Sequence, residues 1–226
     1  IRGEGAIVSY VRGNIAANQG HLKAAQSHFD EAINIDPTHV RARLNRASIH
    51  MASGNAQGAL DDANVLLELA PGLALAKVRR AEANMMLTNW DSAKADLEQI
   101  VEVAPHHHHA LTQLAACYIS MERPEKAEAP LNEALRLAPE HTDAWHQRGL
   151  LYLDWGREDA AMNDFEAAVR CDGNHLDARL HIAAIHHEAG RFVEASGAWK
   201  GVLAIEPEHA VARRRREECD MALATM

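Results

Sequence analysis

Prolines set a ruler along this chain. Pro37, Pro71, Pro105, Pro139 and Pro207 stand 34 residues apart or a multiple of 34, and Gly173 fills the one position on the ruler that lacks a proline. With units begun at Ala6, Val40, Ala74, His108, Thr142 and Leu176, one slot holds Ala25, Ala59, Ala93, Ala127, Ala161 and Ala195. A second slot holds Gly13, Ala47, Ala81, Ala115, Gly149 and Ala183. Small residues at such slots fit places where two helices approach closely. A period of about 20 to 50 residues means a stack of like units rather than a single central core.

Within each unit a turn slot carries Gly20, Gly54, Gly156 or Gly190, with Thr88 and Glu122 in units three and four. Apolar periodicity near 3.6 on both sides of that slot predicts a helix, a turn and a second helix. The proline slot then ends the second helix, because proline cannot continue it and biases the preceding residue away from the helical region. Composition agrees: hydrophobic residues make up 47% of the 226 residues but aromatics only 4%, so the apolar content is mostly alanine and leucine, which favours helices packed through small side chains. Pro124 suits the first turn of a second helix. Pro130 falls inside the same helix, where it predicts a kink and a cost of about 3 kcal/mol.

The best-formed unit runs from Thr142 to Gly173 and reads Trp145, Gly149, Tyr152, then Ala161, Phe165 and Ala168. This spacing resembles the tetratricopeptide repeat, with Arg148 in place of the motif's leucine and Gly173 in place of its proline. The resemblance implies an all-α, right-handed α-solenoid of six helix-turn-helix units, 6–39, 40–73, 74–107, 108–141, 142–175 and 176–209. Residues 210–226 restart a first helix without a second and are expected to be a capping helix, while residues 1–5 carry no repeat feature and are expected to be a remnant.

Few chemical constellations compete with this reading. The chain carries fifteen histidines, among them the run His106 to His109. His39, His107, His141, His175 and His209 share one slot two residues after the proline or glycine, so they belong to the turn between units, and no metal site is expected. Cys117, Cys171 and Cys219 are too few and too widely spaced for a disulfide framework or a zinc site and are expected to be buried thiols. Arg213 to Arg216 are followed by Glu217, Glu218 and Asp220, the pattern of a solvated face. No nucleophile elbow, zinc-protease motif or phosphate loop occurs, so neither catalysis nor a cofactor is expected. A net charge of -9 argues against nonspecific nucleic-acid binding. No run is long and apolar enough to enter a bilayer as a helix, and no signal peptide is legible.

One internal pattern goes beyond the motif. Arg46, Arg80 and Arg148 occupy the slot of the motif's leucine, and sixteen residues later stand Asp62, Asp96 and Asp164 in the same three units. Where the first slot is apolar, at Leu114 and Ile182, the second is Pro130 or Ala198, while Arg12 of unit one faces His28 and breaks the rule. The co-occurrence predicts an ion pair between the two helices of a unit.

The resemblance also implies a function: first helices of such arrays line a groove that holds a protein or peptide segment. Carried onto this chain, the groove slots give Leu44, Ser48 and Met51, then Leu75, Val78, Glu82 and Met85, then Thr112 and Ile119, with Arg41 and Arg79 beside them. An apolar, methionine-containing floor with nearby arginines suits a segment with apolar anchors and some acidic residues; the alternative is that the methionines merely fill gaps between helices. Asn14, Asn45 and Arg79 match three of five positions of the carboxylate clamp found in some family members, but Tyr10 and Leu75 stand where its two lysines should be. Other expectations left open are a recognition array of a larger enzyme, such as a glycosyltransferase or hydroxylase, and a scaffold that assembles into homo-oligomers.

Overall fold

The computed structural model describes residues 2–225, and no strand occurs among them. The chain divides into two compact parts, one up to Met121 and one from Glu122 onward. The first contains α1 (Arg2–Asn18), α2 (Leu22–Ile35), α3 (Val40–Ala52), α4 (Ala56–Leu69), α5 (Ala74–Met86), α6 (Trp90–Val103) and α7 (His108–Ser120). The second contains a 3-10 turn at Pro124–Lys126, then α8 (Glu128–Leu137), α9 (Thr142–Asp154), α10 (Glu158–Cys171), α11 (Leu176–Glu188), α12 (Phe192–Ile205) and α13 (Ala210–Ala224). Within each part every helix packs on the next in sequence, and α3 also touches α1 and α5. First helices α3, α5, α7, α9, α11 and α13 all begin on the 34-residue ruler. The fold is an all-helical repeat array. Helix α1 starts at Arg2, so residues 2–5 extend the first helix and are not a separate remnant; Ile1 lies outside the described residues.

The small-residue columns are the seams between helices. Ala25, Ala59, Ala93, Ala127, Ala161 and Ala195 are all fully buried, as are Ala47, Ala81, Ala115 and Ala183 of the second column. Glycine replaces alanine in that column at two positions, each facing a phenylalanine. A Cβ on Gly13 would lie 2.5 Å from the ring of Phe29, and one on Gly149 would lie 2.7 Å from the ring of Phe165. The missing methyl makes room for the larger ring.

Turn chemistry is uniform although turn residues are not. Gly20, Gly54, Gly156 and Gly190 all take positive φ, and Thr88 and Glu122 adopt the same left-handed conformation at φ 60 and 57. A β-branched residue there is strained. Helix entry follows one pattern at four of the six first helices from α3 onward. His39, His107, His175 and His209 are N-caps whose Nδ1 accepts the backbone N–H of Ala42, Ala110, Ala178 and Ala212 at 3.1 to 3.2 Å. Imidazole thus does the work usually given to serine or asparagine, satisfying one of the helix's open N–H donors.

Two expectations need correction. Pro130 produces no mid-helix kink: it stands in the first turn of α8, and the residues before it tighten into the 3-10 turn, with Ala127 N–H bonded to Pro124 C=O at 3.0 Å. Proline lacks the N–H that would bond four residues back, and its ring crowds the carbonyl there, so the α-helix starts late. Cys171 is exposed, whereas Cys117 and Cys219 are buried. It lies at the very end of α10, past the last turn that packs inward.

The arginine–aspartate pattern is a fork at each of its three positions. Arg46 Nε and Nη2 donate to Asp62 at 2.8 and 2.5 Å, Arg80 to Asp96 at 2.7 and 2.6 Å, and Arg148 to Asp164 at 2.7 and 2.8 Å. All three aspartates are buried. The remaining nitrogen reaches the second helix of the preceding repeat, sixteen residues earlier: Nη1 donates to Asp30, Asn64 and Asn132 at 2.7, 3.4 and 2.6 Å. Each guanidinium therefore fastens three helices, using the planar donor geometry that lysine lacks.

Candidate peptide-binding face

The groove residues inferred from the sequence all lie in the part up to Met121. On a helix, residues spaced by three, seven and ten share one face. That spacing places Arg41, Leu44, Ser48 and Met51 together on α3, and Leu75, Val78, Glu82 and Met85 together on α5. On α1 it adds Ile7, Tyr10 and Asn14, and on α7 His109, Thr112 and Ile119. The residues of this face do not contribute equally.

Leu75 and Ile119 are open to solvent at 46% and 36% exposure, Leu44 and Met51 are half-buried, and Arg41 is exposed. Val78 and Thr112, by contrast, are buried, so they support the face from beneath and offer it no surface. Val78 joins a core with Leu97 and Ile100 of α6 and Leu114 of α7. Met51 packs against Ala47, Ala59 and Ala83, and Met85 against the Val78 core, so both methionines fill gaps as well as reach the surface.

The polar residues are tied to one another. Asn45 Nδ2 donates to Asn14 Oδ1 at 2.6 Å, bridging α1 and α3. These two residues, with Ser48 and Phe29, line a cleft of about 320 Å³. On α5, Arg79 Nη1 donates to Glu82 at 2.6 Å, and His109 Nε2 of α7 lies 3.3 Å from the other carboxylate oxygen. These hydrogen bonds outweigh burial and hold the Glu82 carboxyl below its usual range. Arg79 is thus already paired with Glu82, whereas Arg41 is exposed beside the apolar floor. At the clamp positions, Asn45 gives one of its two amide N–H donors to Asn14, and the Tyr10 ring lies tilted beside His39 with centroids 5.1 Å apart, where a lysine would stand in the clamp.

Sequence reasoning missed Ile7, which is 57% exposed in the column of Arg41 and Leu75, and the Glu82–His109 contact. Ile7 was visible from the period alone. The contact needed the spacing of α5 and α7, although the Arg79–Glu82 pair was legible as an i, i+3 neighbour.

Cys219 lies 3.2 Å from His187 Nδ1, yet burial and the neighbouring Asp220 and Glu218 push its thiol up, which opposes the thiolate a nucleophile needs. Burial likewise pushes the Cys117 thiol up to about 11. Among the described residues no group of three or more histidine, cysteine or acidic side chains is arranged to hold a metal, and no helix is long and apolar enough to cross a membrane. Arg213, Arg214, Arg215 and Arg216 pair with Glu208, Glu218 and Asp220 on the exposed side of α13.

Three models of the tetratricopeptide repeat match the sequence, over residues 10–74, 84–149 and 142–175. The chain belongs to the tetratricopeptide-repeat family. Members of this family are in general noncatalytic scaffolds for protein interaction. No curated protein sequence matches the chain. Among solved structures, it is similar to the Cut9–Hcn1 component of the APC/C (TM-score 0.82, 18% identity, covering 96% of this chain and 43% of that one). It is also similar to pilF of Pseudomonas aeruginosa (TM-score 0.77, 14% identity, covering 98% and 99%). A third is YrrB, a tetratricopeptide protein described as having an unusual peptide-binding site (TM-score 0.59, 21% identity, covering 84% and 97%). At these identities the likeness is one of fold.

Proposed function

We propose that this tetratricopeptide array is a noncatalytic adaptor, and that the face made by α1, α3, α5 and α7 holds a peptide or protein segment. The observation that carries the reading is the exposure of Ile7 on α1, Leu75 on α5 and Ile119 on α7, large apolar side chains on the groove face of three of the four first helices, while Leu44 and Met51 of α3 are half-buried. Exposed apolar surfaces of this kind mark interaction surfaces more often than they occur by chance. The description of YrrB as peptide-binding supports the same class of ligand. The ligand is a mainly apolar segment with an acidic residue directed at Arg41, and the net charge of -9 favours protein over nucleic acid.

The test is affinity selection of peptides from a random library on the intact chain, followed by titration of the selected peptide against variants. Leu75→Asp and Ile119→Asp should each weaken binding at least about tenfold, the scale of losing one apolar anchor. Gln99→Glu, an exposed change on α6, should leave it unaltered. Equal affinity for all three variants would refute this placement of the site.

A further inference from the structure

A second cleft lies between α4 and α6, above α5, and shares no residue with the face described above. Its volume is about 410 Å³, and Asn64, Arg80, Asn84, Ser92, Ala95 and Gln99 are among its walls. The repeat explains why it exists. One slot holds Ala16, His50, Asn84, Tyr118, Tyr152 and His186, so from the second repeat onward a ring fills it everywhere except at Asn84.

The rings show what belongs there. Trp145 and Tyr152 both cover the guanidinium of Arg148, whose Cζ lies 4.9 Å from the Trp145 centroid and 5.6 Å from that of Tyr152. Arg148 is 17% exposed; Arg80, which forks onto its aspartate in the same way but has no ring beside it, is 32% exposed. Both tyrosines of the slot donate their hydroxyls to the preceding second helix, Tyr152 to Glu128, twenty-four residues earlier, at 3.0 Å and Tyr118 to Glu98, twenty residues earlier, at 3.1 Å. The residue twenty before Asn84 is Asn64, which stands at the cleft with an amide oxygen able to accept. Asn84 itself is buried, with one long side-chain contact of 3.4 Å to Asn89.

We propose that this cleft binds a phenolic ring, the side chain of a tyrosine presented by a partner protein, in the place that a tyrosine of the chain itself takes elsewhere. The ring lies against the Arg80 guanidinium, where its π-face meets the cation, and its hydroxyl donates to Asn64. The volume is ample, since about 150 Å³ suffices to enclose benzene.

Backbone amide shifts in the intact chain, titrated with p-cresol, toluene and the tripeptide acetyl-Gly-Tyr-Gly-amide, test this. Saturable millimolar binding of p-cresol and of the tripeptide, with shifts centred on residues 80–84 and 92–99, is expected, and toluene should bind at least about threefold more weakly for want of the hydroxyl. Asn84→Tyr fills the cleft from within and should abolish binding while raising Tm. Should that variant fold poorly, Ala95→Leu on the exposed side of α6 narrows the mouth and should weaken binding at least about fivefold. Shifts that do not saturate, or that persist in both variants, overturn the site. Toluene binding as tightly as p-cresol overturns the hydroxyl contact, and p-cresol binding without the tripeptide overturns the partner-borne tyrosine.

Discussion

Breaking the fork between Arg80 and Asp96 should have unequal effects depending on which partner is removed. Asp96 is 3% exposed and Arg80 reaches it through two charge-assisted hydrogen bonds of 2.7 and 2.6 Å, while the Arg80 side chain remains 32% exposed. Arg80→Leu removes the partner of a carboxylate that is only 3% exposed, so it should destabilise by about 3–4 kcal/mol, within the range for orphaning a buried charge. Asp96→Ala leaves a guanidinium that can turn to solvent or toward Asn64, so the loss should be smaller, about 2 kcal/mol. Combining them removes both charges and copies the apolar pairing of Ile182 with Ala198; the double variant should lose only about 2 kcal/mol, less than Arg80→Leu alone. The implied coupling of about 3–4 kcal/mol is measurable by chemical denaturation of the four proteins of the cycle. Additive losses would refute the reasoning, and so would a larger loss for Asp96→Ala than for Arg80→Leu.

Thr88→Gly should stabilise by about 0.5–1 kcal/mol, because relief of a left-handed β-branched residue exceeds the added chain entropy; a fall in Tm would contradict this. Gly149→Ala should destabilise by about 1–3 kcal/mol as its methyl meets the Phe165 ring, read by denaturation, whereas an unchanged midpoint would show that the ring gives way freely. Burial, helped by the neighbouring His175 and His181 and only partly opposed by Asp177 and Asp143, lowers His146 to about 4. The unfolded chain then binds a proton that the folded one refuses between pH 6.5 and about 4, so stability falls as pH drops through that window. His146→Phe should lose less stability than the parent between pH 7 and pH 5, and parallel losses would count against the burial argument.

The period carried most of the fold. Helix starts followed from the prolines and the alanine columns, because close helix approach leaves a small residue at the same register in each repeat. The Arg–Asp forks were legible since both partners lie within one repeat. Their third contact, to Asp30, Asn64 or Asn132, was not, because it depends on how a helix meets the repeat before it. Val78 and Thr112 were placed on the groove by their slot, yet slot alone does not say how far a helix is rolled into the stack, and both proved buried. Pro130 is interior only if its helix begins at the same register as the other second helices; the proline itself moves the start to Glu128.

Amide hydrogen exchange of the chain with and without a selected peptide tests the central claim most directly. If the adaptor reading is right, the peptide slows exchange in α1, α3, α5 and α7 and leaves α2, α4 and α6 unchanged. Protection confined to the second helices, with none on the first, would contradict it.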